Sequence, residues 1–119
     1  MTMPKLDGKV LITGASGFIG SRLRDQLLAS GSDVVAIRRP GSPPSKAGRS
    51  AEADYARVAD LERIIGEEKP DYVLHVAGAT KGSSYEDFRL GNVMPTRNLL
   101  TALRGEHPDT KRFVLVSSA

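Results

Sequence analysis

Three glycines spaced three apart, Gly14, Gly17 and Gly20, constrain this chain more than any other feature. They follow a short apolar run, Val10-Leu11-Ile12, and open a segment carrying Ile19, Leu23 and Leu27 at helical spacing. An apolar, β-branched run ending on a glycine turn predicts a buried strand. The segment after the turn predicts a helix from about Gly17 to Ser30, stopped by Gly31. Strand, glycine turn and helix in that order make one half of a βαβ unit.

The same alternation continues down the chain. Asp33-Val34-Val35-Ala36-Ile37 predicts a second buried strand, ending at Arg38-Arg39-Pro40. Pro40 to Ser50 reads as a loop, because three of the chain's seven prolines fall there. Asp54 to Ala59 is expected to be the third strand. Asp60 is expected to cap a helix over Leu61-Glu62-Arg63-Ile64-Ile65, closed by Pro70-Asp71. Tyr72 to Ala77 predicts a fourth strand, followed by the polar loop Gly78 to Ser83. A long helix is expected from about Tyr85 to Arg104, with Phe88, Leu99, Leu100 and Leu103 in the core and a kink at Pro95. Phe113-Val114-Leu115-Val116 predicts the fifth strand.

Strands alternating with helices pair in parallel through right-handed crossovers. The expected fold is therefore α/β: a doubly wound parallel sheet of the Rossmann type, in the order 3-2-1-4-5. One domain over residues 1–119 is expected, with no internal repeat and no boundary. A ligand crevice would lie outside the carboxyl ends of strands 1 and 4, where the order reverses. The glycine turn, Arg38, Asp60, Ala77 to Thr80 and Ser117-Ser118 all fall at those ends.

Composition removes other classes. There are no cysteines, so disulfides and thiolate metal sites are excluded, and the two histidines, His75 and His107, make no metal-spacing pattern. No run approaches the roughly 20 apolar residues that span a bilayer. The amino terminus lacks the apolar core of a signal peptide, which leaves the cytoplasm as the expected location. The isoelectric point is about 9.4, yet the net charge is only +3. Part of that excess is the stretch Arg38 to Arg49, with four basic residues and no acidic one. Such a stretch suits one phosphate as well as a polymer, and no aromatic platform accompanies it. Nucleic acid is therefore not the expected partner.

The turn itself points to a dinucleotide. Gly14 can make the tight exit from the strand. Gly17 would let the backbone approach a pyrophosphate at the positive end of the helix, and Gly20 would let the helix pack closely on its strand. A P-loop is excluded, since no Gly-Lys-Ser/Thr follows.

Thr13-Gly14-Ala15-Ser16-Gly17-Phe18-Ile19-Gly20 resembles the short-chain dehydrogenase/reductase superfamily, in its extended branch of NAD(P)-dependent epimerases and dehydratases. Val58-Ala59-Asp60-Leu61 resembles the segment whose aspartate contacts the adenine. Pro70 to Gly78 resembles the fourth strand, Asn92 to Leu100 the following helix, and Phe113 to Ala119 the fifth strand with its active-site serine. The resemblance covers nearly the whole chain and only the amino-terminal part of such a protein. It implies that Gly14, Ser16, Gly17, Phe18, Ile19, Asp60, Leu61, Ala77, Gly78, Ala79, Thr80 and Ser117 line the cofactor. It implies a catalytic role for Ser118, whose hydroxyl would bond the substrate oxygen. Asn92 would hold a water or relay a proton.

Arg38 and Arg39 stand where an acidic residue would bond the adenosine ribose. An arginine there can pair with a 2′-phosphate, which favours NADP, with NAD as the alternative. The family's Tyr-x-x-x-Lys acid has no match: Ala59 follows Tyr55 by four, Val76 follows Tyr72, and Arg89 follows Tyr85. The expected function is thus the cofactor-binding portion of an NAD(P)-dependent epimerase, dehydratase or reductase acting on a small molecule such as a nucleotide sugar. On this reading the chain is a piece of a longer one, inactive alone, with strand 5 prone to pair with a second copy in self-association or a homodimer. The alternative is a non-catalytic Rossmann module that binds or senses NADP. His75, inside a strand, reads as a packed core residue, and Lys81 as a solvated one.

Overall fold

The computed structural model describes residues 8–15, 18–41, 48–76 and 94–116 of the chain. In chain order the elements are β1 (Lys9–Thr13), α1 (Phe18–Ala29), β2 (Asp33–Arg38), β3 (Arg49–Glu52), α2 (Val58–Glu68), β4 (Tyr72–Val76), α3 (Met94–Glu106) and β5 (Arg112–Val116). The strands form one sheet in the order β3-β2-β1-β4-β5, every neighbouring pair parallel. This is the expected doubly wound arrangement, with the order reversing at β1.

β1 is central because it can be buried on both faces. Leu11 pairs in register with Val35 on one side and Val73 on the other. Its face of the sheet is covered by α2 and α3, through Leu61, Ile64, Ile65, Leu99, Ala102 and Leu103. Val10 and Ile12 point to the opposite face, with Val34 and Ala36, where Leu27 and Leu23 of α1 cover them. Successive side chains alternate between two covered faces, so a strand here must be apolar except where, as at Thr13, a polar side chain finds a buried partner.

The third strand is Arg49–Glu52, not Asp54 to Ala59 as the sequence suggested. Arg49-Ser50-Ala51-Glu52 contains no apolar run, because an edge strand with two exposed and two half-covered residues does not need one. Backbone pairing with β2 and the contact of Ala51 with the core hold it, and ion pairs flank it. Arg49 reaches Asp33 at 2.9 Å and Glu68 at 3.1 Å, Lys9 shares Glu68 at 3.0 Å, and Arg38 meets Glu52 at 3.0 Å. The expected loop therefore ends before Arg49. Asp54 begins a turn, its Oδ1 accepting the Ala56 N–H at 2.9 Å. That side-chain bond offers the backbone an alternative to a ladder.

α2 starts two residues before Asp60. Arg57 occupies the cap position without a side-chain bond, and Asp60 lies in the first turn. Its Oδ2 accepts the Asp54 N–H at 3.1 Å, so Asp60 fixes the incoming turn rather than capping its own helix. Lys69 ends α2 in the left-handed conformation, with its N–H on the Ile65 carbonyl at 2.8 Å. In α3, Pro95 is the second described residue. The kink expected there turns on the Gly91 carbonyl and lies, with the expected helix residues Tyr85 to Val93, Phe88 included, outside the described residues. Leu99 and Leu103 are buried as expected. Leu100 is 42% exposed, one step round the helix from the buried stripe, and Ala102 packs in its stead. On β5, Val114 and Leu115 are exposed as well.

A buried polar chain ties the carboxyl ends of β1 and β4 to α3. Thr13 Oγ1 lies 2.6 Å from His75 Nδ1 and accepts the Val76 N–H at 3.2 Å. His75 Nε2 lies 2.7 Å from Thr96 Oγ1. A neutral imidazole serves both threonines, donating at one nitrogen and accepting at the other. Burial pushes the His75 pKa below the ordinary histidine range.

Two outcomes follow from this packing. The unfolded chain takes up a proton on His75 as pH falls through about 6.5, before the folded one does. Stability should therefore be fully present above that pH and decline below it, and His75→Gln should flatten the decline. Denaturant unfolding of both proteins at pH 7.5, 6.5 and 5.5 checks this; parallel curves would contradict it. Leu61→Ala should cost about 2–5 kcal/mol in urea unfolding, as expected for a fully enclosed leucine.

Candidate functional site

Parallel strands bring their carboxyl ends to one edge, and the register fixes what stands there. Thr13 is flanked by Ile37 and His75, Arg38 by Glu52, and Val76 by Val116. Gly14 leaves β1 with φ +70°, and a Cβ there would fall 2.7 Å from the Val76 carbonyl oxygen. Both the backbone conformation and the approach to β4 require glycine. A Cβ on Gly20 would run into the Gly14 carbonyl and come within 3.1 Å of Ala15 Cα. The first turn of α1 thus sits directly against the exit of β1.

This cradle fits a dinucleotide. Two of the three motif glycines are demanded by backbone contacts that any side chain would fill. The first turn of a helix carries N–H groups with no acceptor inside the helix, and its dipole favours an anion. No acidic residue stands in the first turn of α1 to oppose one. Phe18 and Ile19 are the first residues of that helix; their side chains, with Ser16 and Gly17, lie outside the described residues. So do Ala77, Gly78, Ala79, Thr80, Ser117 and Ser118.

Arg38 and Arg39 stand at the end of β2, as the motif spacing requires. Arg38 is not a lone cation. Its Nη1 lies 3.0 Å from Glu52 Oε2, and its Nε donates to Ser50 Oγ at 3.2 Å. Asp60 and Leu61 are not at the edge in the way expected. Leu61 has no exposed surface and packs into the core beneath α2. Asp60 spends a carboxylate oxygen on the Asp54 backbone.

The residues at the end of β3 are instead Asp54 and Tyr55, which sequence reasoning absorbed into a strand. Asn98 of α3 donates to the Tyr55 carbonyl at 2.7 Å and fixes the turn. The Tyr55 hydroxyl reaches the Ile37 carbonyl at 3.4 Å. Burial pushes its pKa up to about 12, against weaker lowering from the Gly14 backbone, the Arg39 cation and the Thr13 hydroxyl. Those neighbours place the phenol beneath the glycine turn, next to the buried Thr13–His75 pair. At pH 7 it is neutral. The signal available in the sequence was Asp54 followed by a helix-periodic run from Val58, which marks a strand-to-helix turn. Among the described residues no group of His, Asp or Glu could hold a metal ion, and no helix is long and apolar enough to cross a membrane.

Comparison with known proteins agrees with this geometry. Residues 10–119 match the NAD dependent epimerase/dehydratase family. D-erythronate dehydrogenase of Haemophilus influenzae is 34% identical over 92% of this chain and 38% of its own length. The dTDP-6-deoxy-L-talose 4-dehydrogenase (NAD(P)(+)) of Kitasatospora kifunensis is 31% identical over 87% of this chain and 33% of its own. Among solved structures, the Bordetella bronchiseptica enzyme WbmH in complex with NAD+ superposes with a TM-score of 0.71 at 27% identity, over 89% of this chain and 37% of that one. The chain therefore spans about a third of the length of these proteins. A glycine cradle at the reversal point of a five-stranded parallel sheet and a family match over nearly all residues lead to one assignment: the chain belongs to the NAD-dependent epimerase/dehydratase family.

Proposed function

We propose that this chain forms the NAD(P)-binding part of an oxidoreductase or epimerase that acts on a hydroxyl or carbonyl carbon of a sugar, with nucleotide sugars as the substrate class. The observation that carries the proposal is the Gly14–Gly20 cradle where the strand order reverses. The family membership and the dTDP-sugar dehydrogenase among the relatives support it.

When bound, the nicotinamide group supplies a hydride acceptor or donor. The chain's own residues bind and orient. The amides at the start of α1 take the pyrophosphate. Arg38 and Arg39 face the adenosine end, and their charge favours NADP over NAD. Tyr55 closes the floor against water. Ser118, with Ser117 beside it, follows β5 and is proposed to donate a hydrogen bond to the substrate oxygen as charge develops there. The Tyr-x-x-x-Lys proton relay has no counterpart among these 119 residues. The proposed contribution of this chain is accordingly the cofactor and the serine.

Calorimetric titration of the purified chain with NADP+ and NAD+ tests the binding role, and failure to bind either dinucleotide would sink it. Arg38→Asp should shift the NADP-to-NAD affinity ratio towards NAD by roughly tenfold or more, the scale of one charge-assisted hydrogen bond. An unchanged ratio would remove Arg38 from selectivity.

A further inference from the structure

Glu52 is not part of the glycine motif or of the β2 end. Yet the β2–β3 register makes it the in-register neighbour of Arg38. The two side chains share one face of the sheet, and their ion pair closes at 3.0 Å. Ser50, two residues earlier on the same strand and the same face, accepts from Arg38 Nε at 3.2 Å. β3 thus presents a hydroxyl and a carboxylate to one guanidinium. The pair lies at the rim rather than in the core, with the Arg38 and Glu52 side chains 26% and 49% exposed. Ion pairs at such exposure are weak and exchange readily.

We propose that Glu52 sets the cofactor selectivity of this site, acting from β3 as the acid that an NAD site places at the end of β2. The inference rests on the reading of the carboxyl edge as a dinucleotide site. A ribose 2′-hydroxyl can donate to the Glu52 carboxylate while Arg38 keeps its ion pair. A 2′-phosphate carries a charge of about −1.5 to −2. It must draw Arg38 away from Glu52, and it then faces the uncompensated carboxylate at close range. Arg39 stands beside the pair, so both forms bind, and Glu52 holds down the preference for the phosphorylated one. The selectivity of the site is a property of the Arg38–Glu52 pair and not of Arg38 alone.

The minimal probes are 2′,5′-ADP and 5′-AMP, which differ only in the 2′-phosphate. Glu52→Gln keeps the size of the side chain and removes its charge, and the site is exposed, so the fold should be retained by circular dichroism. Calorimetric titration should show 2′,5′-ADP binding roughly two- to fivefold tighter in Glu52→Gln, the range of an exposed charge pair. Binding of 5′-AMP should be unchanged or weaker. Glu67→Gln, which removes another exposed charge from the carboxyl-terminal part of α2, should leave both affinities unchanged. An unaltered ratio in Glu52→Gln overturns the proposal while leaving the site intact. An equal gain in Glu67→Gln also overturns it, because the effect is then one of net charge. If the folded parent chain binds neither nucleotide, the dinucleotide reading fails and the assignment of Glu52 fails with it.

Discussion

The fold depends on one backbone contact, that of Gly20 against the carbonyl of Gly14. It lets α1 begin directly over the end of β1, so the helix must run back along the sheet and cover Val10, Ile12, Val34 and Ala36. The chain then re-enters beside β1 as β2. The second half of the chain uses the other flank of β1, and β4 comes so close that Val76 touches Gly14. The point where strand order reverses is therefore also a place where backbones approach closely. A side chain at Gly14 or Gly20 would damage the packing and the proposed cofactor cradle together, because both use the same absence of Cβ atoms.

Polar groups near that point are buried in a set pattern. Thr13, His75 and Thr96 satisfy one another, and the Tyr55 phenol fills the space towards Arg39. Such a chain favours a single arrangement of β1, β4 and α3, because each unmade bond would leave a buried polar atom without water. His75 remains neutral for the same reason. Ion pairs flank the sheet at both rims. At the amino edge Lys9, Glu68, Arg49 and Asp33 pair beside the edge strand, and at the carboxyl edge Arg38 and Glu52 face the proposed ligand.

β1, α1, β2, β4 and β5 were legible because each carries a periodic apolar pattern and a terminator. Strand order followed from the alternation of strand and helix. β3 was not legible, since an edge strand of Arg-Ser-Ala-Glu, exposed or half-covered along its length and paired on one side to β2, carries no apolar pattern. That error displaced the start of α2, and with it the residues assigned to the third strand's end: Asp60 and Leu61 in place of Asp54 and Tyr55. Leu100 was misjudged because sequence spacing allows several neighbouring leucines on the helix to face inward, while the angular width of the contact admits only Leu99, Ala102 and Leu103.

The glycine turn, the parallel α/β class and the basic character of the β2 end can be read without a structure because they are local: they need only a spacing, an alternation and a terminating residue. The tertiary structure decided which residues surround that turn. Whether Arg38 stands alone or beside Glu52 depends on β2–β3 register, and whether Tyr55 or Leu61 reaches the carboxyl edge depends on where α2 begins. Register and helix phase are set by packing across the sheet, between residues far apart in the chain.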